Sequence, residues 1–389
     1  MMKILFIAHM PDGGGASIAL CNLARGLLEK GIEVVVATPA RQGMLCEMLK
    51  KNGCRFYNTR ITPTVYPPQG NPIKWLKRMI WYWVGWKLAQ RDLEKIISIE
   101  KPDIVHTNVG PLITAYEICK KRKIPHVWQQ REYLGIIGMK VVPSLSSFRK
   151  KIHSQGNYNV AITKGVFDYY NLRPDLDRVL YDGVFFEKDV EGIKNEEKEN
   201  YFVVVGIVNM NKGIWESIKA FSLFDKIQPG YKLKIVGTFF DDSYKRMCDD
   251  LVRAEKLDEK VEFLGRRNDV YKILRKATAA IVGSFSEGFG FVAVESMLNY
   301  CPVIGRNVSG TKEQFDVGMS AVGEDIGYRF DSIPELVDRM IECSRHLNQD
   351  RMLNNARKVV LRCYSIERQV KETEKYYKFV LQDFFQKKE

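Results

Sequence analysis

The stretch Ser284-Phe-Ser-Glu287-Gly-Phe-Gly-Phe-Val-Ala-Val-Glu295-Ser-Met-Leu-Asn-Tyr-Cys-Pro302-Val-Ile-Gly305 decides how the second half of this chain folds. Its two glutamates flank a glycine turn that opens a helix. Gly288 and Gly290 let the backbone come close to a ligand, and the first N–H groups of the helix face an anion. Glu295 can accept hydrogen bonds from two ribose hydroxyls, which leaves Glu287 for a sugar. The pattern therefore suits a nucleotide-sugar.

Two further glycine loops follow predicted strands. Gly13-Gly14-Gly15-Ala16-Ser17 opens a helix, so its amides can contact a diphosphate or an acceptor, although a plain glycine turn is the alternative. Ile18 breaks the G-x-G-x-x-G pattern, which argues against a dehydrogenase. The second loop is Gly206-Ile-Val-Asn-Met-Asn-Lys212-Gly213, in which Lys212 either binds phosphate or is an ordinary surface lysine.

Apolar runs alternate with amphipathic stretches, which predicts an α/β protein with parallel sheets covered by helices. The predicted strands are Lys3–His9, Glu33–Thr38, Asp103–Thr107, Pro125–Gln129, Tyr158–Ile162, Tyr201–Gly206, Lys232–Gly237, Val261–Leu264, Ala279–Gly283 and Val303–Gly305. The predicted helices are Ala16–Lys30, Ile214–Asp225, Ser243–Glu255, Val270–Lys276, Val292–Asn299 and a long helix after Ser365. A chain of 389 residues suits two domains of roughly 180 residues each.

The order of these motifs is similar to that of a known family, the retaining glycosyltransferases of family 4. The motifs that carry the resemblance are Gly13-Gly14-Gly15, Pro102-Asp-Ile-Val-His106, Gly206 to Lys212-Gly213, Phe263-Leu-Gly265 and the glutamate pair with its Cys-Pro-Val-Ile strand. The resemblance implies the GT-B fold, in which two Rossmann-like domains have parallel sheets that face each other across a cleft, and a C-terminal helix crosses back to the first domain. The expected boundaries are an acceptor-binding domain at 1–184, a polar linker at 185–200, a nucleotide-sugar-binding domain at 201–364 and the crossing helix at 365–389.

The resemblance also implies roles for individual residues. Glu287 and Lys212 would act in catalysis, with Lys212 stabilising the departing diphosphate. Relatives have an arginine just after the first glycine of this loop, whereas this chain has Ile207, so Arg266 or Arg267 would supply the second cation or line the base pocket. The residues expected to contact the donor are Gly14, Gly15, Gly206, Lys212, Arg266, Glu287, Gly288, Phe289, Gly290, Phe291 and Glu295.

The expected acceptor side lies in the first half of the chain. Val105-His106-Thr107-Asn108 resembles the V-H-x-H segment of the family, whose second histidine often approaches the transferred sugar. Asn108 stands at that position, and asparagine can only hydrogen-bond, so a general base there is in doubt. His106 is either acceptor-side or a satisfied sheet-end histidine. Arg131 and Glu132 would face the cleft, and Arg131 would act in catalysis together with Asn108. The alternative is that Arg131 and Glu132 form a structural ion pair.

The resemblance implies transfer of a hexose from a UDP- or GDP-sugar, with retention of configuration, to a lipid-linked or polysaccharide acceptor. The expected setting is biosynthesis of a bacterial surface glycan such as capsule, exopolysaccharide or O-antigen. No metal and no cofactor are expected, because the donor itself is the nucleotide-sugar. Asp175-Leu-Asp177 matches the D-x-D of metal-dependent transferases, but it lies in a loop far from the glutamate pair, and so short a match is frequent by chance.

Positive charge is confined to the first half of the chain. Residues 1–182 contain 27 Lys and Arg against 14 Asp and Glu, whereas residues 183–389 contain 33 of each. Residues 72–90 interleave four tryptophans with lysine and arginine, which is typical of a helix lying in lipid headgroups and too charged to span a bilayer. We therefore expect an anionic membrane as a partner, with basic clusters at 120–123 and 149–151 contributing; a helix packed on its own domain is the alternative. No nucleic-acid-binding motif is visible.

The eight cysteines are scattered and mostly lie in apolar segments, without metal-ligand spacing. They are typical of reduced thiols in a cytoplasmic protein. The first residues begin a strand directly and lack the apolar core of a signal peptide. We expect a cytoplasmic location, peripheral on the inner face of the plasma membrane.

A second class of function remains open at this point. A GT-B-like nucleotide-sugar epimerase, or a non-catalytic nucleotide-sugar-binding protein, would use the same donor residues. Glu287, Glu295 and Lys212 favour the transferase, whereas Ile207 and Asn108 depart from its pattern.

Overall fold

The computed structural model describes residues 1–11, 13–66, 71–136, 138–345 and 349–386. It divides the chain into two compact units. Unit 1 comprises Met1–Phe186 and Ile366–Glu389, and unit 2 comprises Glu187–Ser365. Each unit has a parallel sheet with helices against it, so the predicted α/β class is confirmed.

The sheet of unit 1 is parallel throughout. Within the described residues its strands are β1 (Lys3–Ile7), β2 (Glu33–Thr38), β3 (Arg55–Asn58), β4 (Ile104–Thr107), β5 (His126–Gln130), β6 (Asn157–Ala161) and β7 (Arg178–Val179), in the order β3-β2-β1-β4-β5-β6-β7. The central strands β1, β4 and β5 are almost entirely buried, as expected for strands covered on both faces. The strand order reverses between β1 and β4, where α/β proteins commonly bind ligands beyond the carboxyl ends of the strands.

Helices connect these strands. They are α1 (Gly15–Glu29), α2 (Met44–Lys51), α3 (Pro72–Glu100), α4 (Thr114–Arg122), α5 (Leu145–Ile152) and α6 (Lys164–Tyr169). The longest, α3, begins sharply because the Asn71 side chain accepts hydrogen bonds from the backbone N–H groups of Ile73 and Lys74, with Pro72 in the first turn. Its second half is packed on the sheet through Leu93, Ile96 and Ile97.

Unit 2 repeats the architecture with the strand order typical of dinucleotide-binding folds. Its described strands are β8 (Glu199–Val205), β9 (Lys232–Val236), β10 (Val261–Gly265), β11 (Ala277–Val282), β12 (Val303–Arg306) and β13 (Tyr328–Phe330), in the order β10-β9-β8-β11-β12-β13. Its helices are α7 (Ile214–Ile227), α8 (Asp242–Ala254), α9 (Val270–Lys276), α10 (Phe291–Leu298), α11 (Ser309–Val322), α12 (Ile333–Ser344) and α13 (Gln349–Cys363), with short 3-10 turns at Glu187–Asp189 and Met210–Lys212. The strand order reverses between β8 and β11.

The last helix, α14 (Ile366–Gln386), belongs to unit 1. Its apolar side joins the core formed by α1 and the sheet, and the Tyr376 hydroxyl donates to the backbone carbonyls of Asn159 and Leu176. The fit against α1 depends on Gly26, because a Cβ at that position would lie 2.4 Å from Cγ2 of Val370. The helix predicted after Ser365 is thus present and packs on the first half of the chain.

All eight cysteines are free, and all but Cys363 are buried. Burial raises the pKa of several of these thiols, for example that of Cys21 to about 12, because the thiolate would lose its water. Among the described helices, none carries an apolar stretch long enough to cross a bilayer.

Candidate functional site

The candidate site of unit 2 lies where the strand order reverses. Strands β8 and β11 are neighbours, and the chain leaves them at Gly206 and Gly283. The loop after β8 carries Lys212, and the loop after β11 carries Glu287 and the glycine turn. Lys212 and Glu287 are 75 residues apart in sequence. The two loops that carry them therefore meet at one sheet edge.

Gly206 shapes the first of these loops. Its φ of 137° lies in a region that favours glycine, and the stem of Lys212 passes over it, with Cε 3.7 Å from where a Cβ would be. A single 3-10 turn follows, in which the Asn209 side chain accepts from the Lys212 backbone N–H. The loop thereby directs the lysine back toward the end of β8.

Lys212 and Glu287 form an ion pair, with Nζ 2.6 Å from Oε2. The Ser284 hydroxyl donates to the same carboxylate oxygen at 3.1 Å. The two side chains are 24% and 20% exposed, so an incoming ligand can reach both. The structure thus brings together two of the residues predicted to act in catalysis, and each charge offsets the other in the free protein.

Asn211 joins the two loops, and sequence reasoning missed it. Its side chain accepts from the backbone N–H of Ser286 at 3.1 Å and donates to the Ser286 carbonyl at 2.8 Å, and its own carbonyl accepts from the Phe285 N–H. This two-sided bond sets the distance between the lysine loop and the glutamate loop. The only sequence signal is that asparagines favour loops, which does not identify a partner 75 residues away.

Arg306, at the end of β12, supports the glutamate loop from beneath. Its Nε donates to the carbonyl of Gly283 at 3.0 Å, and its guanidinium stacks 4.2 Å from the Phe285 ring and 4.9 Å from the Phe330 ring. The side chain is buried, which lowers its pKa from the usual value. Sequence reasoning also missed this residue.

The glycine turn is held on its far side by α11. Gly290 has a φ of 92° and immediately precedes α10, as the turn motif predicts. The Gln314 amide donates to the carbonyls of Phe289 and Gly290, at 2.7 and 3.1 Å, and the N–H of Gly310 donates to the carbonyl of Glu287. These bonds hold the turn against α11, and the Gly290 carbonyl also accepts from the N–H of Ala293 in the first turn of α10.

The aromatic residues of the turn differ in exposure. Phe289, predicted to contact the donor, is buried and packs against Phe291 and Tyr364, with ring centroids 5.3 and 5.5 Å apart. Phe291 is half-buried. The Phe289 side chain thus anchors the turn in the core, and the predicted contact of this residue with the donor stays a prediction.

Glu295 lies on α10, just beyond its first turn, and is half-buried. The Tyr271 hydroxyl donates to its Oε1 at 3.4 Å. Loss of water around the carboxylate raises its pKa from 4.5 to about 7, an effect that the tyrosine partly offsets. A carboxylate that is short of hydrogen-bond donors, beside a helix N-terminus, is suited to a ligand that brings hydroxyl groups.

The arginines expected to replace the missing loop cation follow β10. Both Arg266 and Arg267 are exposed, and Arg267 is paired with Asp269 through two bonds of 2.9 and 2.8 Å. Ile207, at the family's arginine position, is 50% exposed. Asp269 accepts both hydrogen bonds along one edge of the Arg267 guanidinium, and the role of Arg266 as the second cation stays a prediction.

In unit 1, Gly14 and Gly15 form the start of α1, at the carboxyl edge of that sheet. The N–H of Ser17 donates to the carbonyl of Gly14 at 2.9 Å. A Cβ at Gly13 would lie 2.0 Å from Sδ of Met44, so the loop packs closely against α2. The predicted strand–glycine loop–helix context is present.

Arg131 and Asn108 do not face solvent as expected. Both are buried, and the Arg131 guanidinium is bound at 2.5 and 3.2 Å by Asp182 and at 2.8 and 3.1 Å by the backbone and side-chain oxygens of Asn108. The Asn108 amide donates in turn to the carbonyl of Ala16. The catalytic expectation for these two residues is therefore corrected. They form an internal network behind the glycine loop. The alternative of a structural ion pair therefore holds for Arg131, but its partner is Asp182 and not Glu132.

His106 is also internal. Its Nδ1 lies 2.6 Å from the Tyr377 hydroxyl of α14, and its ring stacks on Phe6. Burial lowers its pKa to about 3, so the ring is neutral at physiological pH. The acceptor-side expectation for His106 is corrected in favour of a structural histidine.

Glu132, also predicted to lie on the acceptor side, is less buried than Arg131 and Asn108. It is half-buried just beyond the end of β5, accepts a backbone bond from Gly110, and its Oε2 has no hydrogen-bond partner among the described residues. Burial raises its pKa from 4.5 to about 7, while Arg131 acts in the opposite direction.

The second carboxylate of the D-x-D motif has a structural role. Asp177 is buried and accepts from the Arg173 side chain and from the backbone N–H of Asn159. Within the described part of the chain, no group of three His, Cys, Asp or Glu side chains is placed to hold a metal ion.

Two family models match this chain. Residues 185–359 match the model for glycosyl transferases group 1, and residues 13–172 match the model for glycosyltransferase family 4. Together they cover most of both units. The chain belongs to glycosyltransferase family 4, and it is a transferase enzyme.

Two curated relatives align with much of this family 4 glycosyltransferase. The N-acetyl-alpha-D-glucosaminyl L-malate synthase of Bacillus anthracis is 23% identical and aligns over 97% of both chains. The O-antigen chain mannosyltransferase RfbU of Salmonella typhimurium is 26% identical over 64% of this chain and 68% of its own.

A solved structure confirms the fold. HepE of Anabaena, crystallised with UDP-glucose, matches with a TM-score of 0.75 over 96% of this chain and 100% of its own, at 18% identity. The expected GT-B type of fold is therefore confirmed for this family 4 glycosyltransferase.

Proposed function

We propose that this glycosyltransferase moves a hexose from a UDP- or GDP-sugar, with retention of configuration, to a lipid-linked or polysaccharide acceptor of a bacterial surface glycan. The observation that carries the proposal is the arrangement of Lys212, Glu287 and Glu295 around the glycine turn of unit 2. It combines a cation for a diphosphate, a carboxylate for a sugar and a second carboxylate for a ribose. The activities named for the two curated relatives and the ligand of HepE support a nucleotide-sugar donor.

In this proposal the donor displaces the ion pair. The diphosphate takes Lys212 from Glu287, and the N–H groups at the start of α10 add their partial positive charge. Glu287, released from the lysine, accepts hydroxyls of the sugar. Glu295 accepts the ribose hydroxyls, which replace the water that burial removed.

The proposed chemistry follows from where charge develops. The bond between the anomeric carbon and the diphosphate oxygen breaks, an oxocarbenium-like sugar forms, and Lys212 stabilises the departing diphosphate. The acceptor hydroxyl attacks from the same face, and its proton passes to the leaving phosphate. No metal or other cofactor takes part in this scheme.

The stereochemistry can be tested without knowing the acceptor, because water can take the place of the acceptor hydroxyl and release the free sugar. Purified protein is incubated with UDP-glucose, UDP-N-acetylglucosamine and GDP-mannose, and NMR identifies the first anomer of the released sugar before it equilibrates. Release of the same anomer as in the donor is the expected result.

Release of the opposite anomer would contradict retention. A donor whose sugar is epimerised while still attached to the nucleotide would favour the epimerase alternative instead. Lys212→Ala serves as the control for contaminating hydrolases, since it should remove the activity.

A further inference from the structure

The first half of α3 exposes large apolar side chains to solvent. The exposed apolar residues of this half are Ile73 (69%), Leu76 (58%), Ile80 (56%), Trp81 (74%), Trp83 (46%), Val84 (42%) and Leu88 (37%). So many large apolar side chains exposed on one half of a helix are uncommon on a protein surface without a partner. We call this set, with Lys77 and Lys87, the outer face of α3.

The outer face has a fixed geometry. At 100° per residue these apolar positions cover an arc of roughly 160°, and Lys77 and Lys87 fall inside the same arc. The opposite side, with Trp75 and Trp86, is half-buried, and a Cβ added at Gly85 would lie 3.4 Å from Oγ1 of Thr62. The helix is therefore packed on its domain along one side, which leaves the other side facing solvent.

A second exposed apolar segment of unit 1 is hydrogen-bonded to the segment between β3 and α3. The backbone N–H of Tyr66 donates to the carbonyl of Lys140 at 2.8 Å. Ile136 and Met139, in the same loop as Lys140, are 65% and 43% exposed. This loop therefore combines exposed apolar side chains with a lysine, as the outer face of α3 does.

The positive charge of unit 1 indicates which kind of partner binds the outer face of α3. Residues 1–182 carry the whole net charge of +13, and the outer face places Lys77 and Lys87 among its apolar groups. A second copy of the chain on the same face would set these lysines against their equivalents. An anionic headgroup layer instead pairs with the lysines while the tryptophans enter the interface.

The outer face is linked to the edge where Glu132 lies. Thr64, two residues after Thr62, donates its N–H to the carbonyl of Pro111 at 2.7 Å, and its hydroxyl accepts from the N–H of Ile113. Pro111 follows Gly110, whose backbone is bonded to Glu132. The segment that seats α3 therefore also borders the acceptor-side carboxylate.

We infer that the outer face of α3, together with Ile136, Met139 and Lys140, docks on an anionic lipid surface and presents the membrane to the edge of unit 1 that carries Glu132. Only one part of the inference rests on the proposed function, namely that the acceptor is lipid-linked. The docking itself follows from exposure and charge.

Vesicle co-sedimentation of the full chain tests the docking. Vesicles of phosphatidylglycerol and phosphatidylcholine are compared with phosphatidylcholine alone, at low and high salt. The wild type should bind the anionic vesicles, and less at high salt, because salt screens the lysines. The double substitution Trp81→Ser with Lys77→Gln should weaken binding by on the order of tenfold or more.

The matched control removes one exposed apolar side chain and one exposed lysine from unit 2. Ile227→Ser with Lys358→Gln should bind vesicles as the wild type does. Both double variants should keep wild-type affinity for the nucleotide-sugar, which separates a failure of docking from a failure of the proposed donor site.

Three results would overturn the inference. The first is a wild type that does not sediment with anionic vesicles at low salt. The second is equal binding by the wild type and the α3 variant, or equal binding to neutral and anionic vesicles. The third is a vesicle-free dimer that the α3 variant converts to a monomer, which would assign the outer face to a second copy.

Discussion

At the scale of single residues, Lys212 has to leave Glu287 before it can serve a diphosphate. Lys212→Ala should lower the transfer rate by on the order of a hundredfold, comparable to losing one charge-stabilising donor at a transition state. Steady-state kinetics with the best donor of the panel would measure the loss. Lys358→Ala, an exposed lysine of the same unit, is the control, and normal kinetics for Lys212→Ala would place the diphosphate elsewhere.

Substitution of Glu287 should not weaken the binding of the free nucleotide. Glu287→Gln removes a negative charge 2.6 Å from Lys212, so affinity for the nucleoside diphosphate should stay the same or tighten. Transfer should fall, because the sugar loses its charged acceptor. Calorimetry and kinetics on one preparation check both parts, and full turnover in this variant would remove Glu287 from the mechanism.

Glu295 predicts a pH dependence. Its pKa is raised to about 7 in the folded protein, so its carboxyl is largely neutral at pH 5 and ionised at pH 8. If the carboxylate binds ribose hydroxyls, affinity for a nucleotide-sugar should rise between these pH values. Nucleotide-sugars suit the measurement because their diphosphate has no group that titrates near neutrality. Glu295→Gln should flatten the dependence, whereas Glu132→Gln in unit 1 should preserve it.

The same carboxyl affects stability, with a definite sign. The folded protein holds its proton more tightly than the unfolded chain does, so its contribution to stability is present below about pH 4.5 and is lost as the pH rises through about 7. Glu295→Gln should therefore gain thermal stability relative to the wild type as the pH goes from 5 to 8. A difference in Tm that shrinks over this range would contradict the pKa.

The residues of unit 2 are more predictable from sequence than those of unit 1. The sequence places Lys212 and Glu287 in two glycine loops after strands, and the structure brings these two side chains together. Arg131 and Asn108 can be assigned to catalysis from position alone, but no local pattern reveals that Asp182, 51 residues away, buries the arginine. The supports of the glutamate loop, Asn211 and Arg306, escape prediction for the same reason, since both act through distant backbone groups.

At the scale of elements, strands and helices with strong periodicity are predicted well. β2 and α9 match their predicted bounds, and most of the other predicted elements differ by one or two residues. The strand β7 and the helices α2, α4, α5, α6, α11, α12 and α13 are not among the predicted elements. β3 has exposed ends and β13 is short, so neither gives a clear apolar run, and both are missed. Helix α3 extends to Glu100, beyond the tryptophan-rich part, because its second half carries the core residues.

The packing of α14 on α1 gives a test at this scale. Gly26→Ala should improve helix propensity by up to about 1 kcal/mol, yet destabilise unit 1 by about 1–3 kcal/mol overall, because the new Cβ would lie 2.4 Å from Val370. Gly85→Ala in α3 is the matched control, since its Cβ would meet only Thr62 at 3.4 Å. Urea unfolding should separate the two variants, and equal midpoints would show that α14 is not closely packed there.

At the scale of the whole molecule, the candidate donor residues and the basic excess lie in different units. Unit 2 holds the lysine and the glutamates in one arrangement and the chain carries no net charge from residue 183 onward, whereas unit 1 carries the basic excess and the exposed face of α3. Composition predicts this division of charge. It cannot show which side of α3 faces solvent, because that depends on how the segment before α3 and the loop ending at Lys140 pack together.

The central claim is that Lys212, Glu287 and Glu295 form a nucleotide-sugar site, and calorimetric titration with UDP- and GDP-sugars tests it most directly. One donor of the panel should bind, and Glu295→Ala should weaken that binding by about 1.5–3 kcal/mol, the range for hydrogen bonds to charged groups. This corresponds to roughly tenfold to a hundredfold in Kd. Unchanged affinity in Glu295→Ala, with the donor still bound by the wild type, would contradict the account.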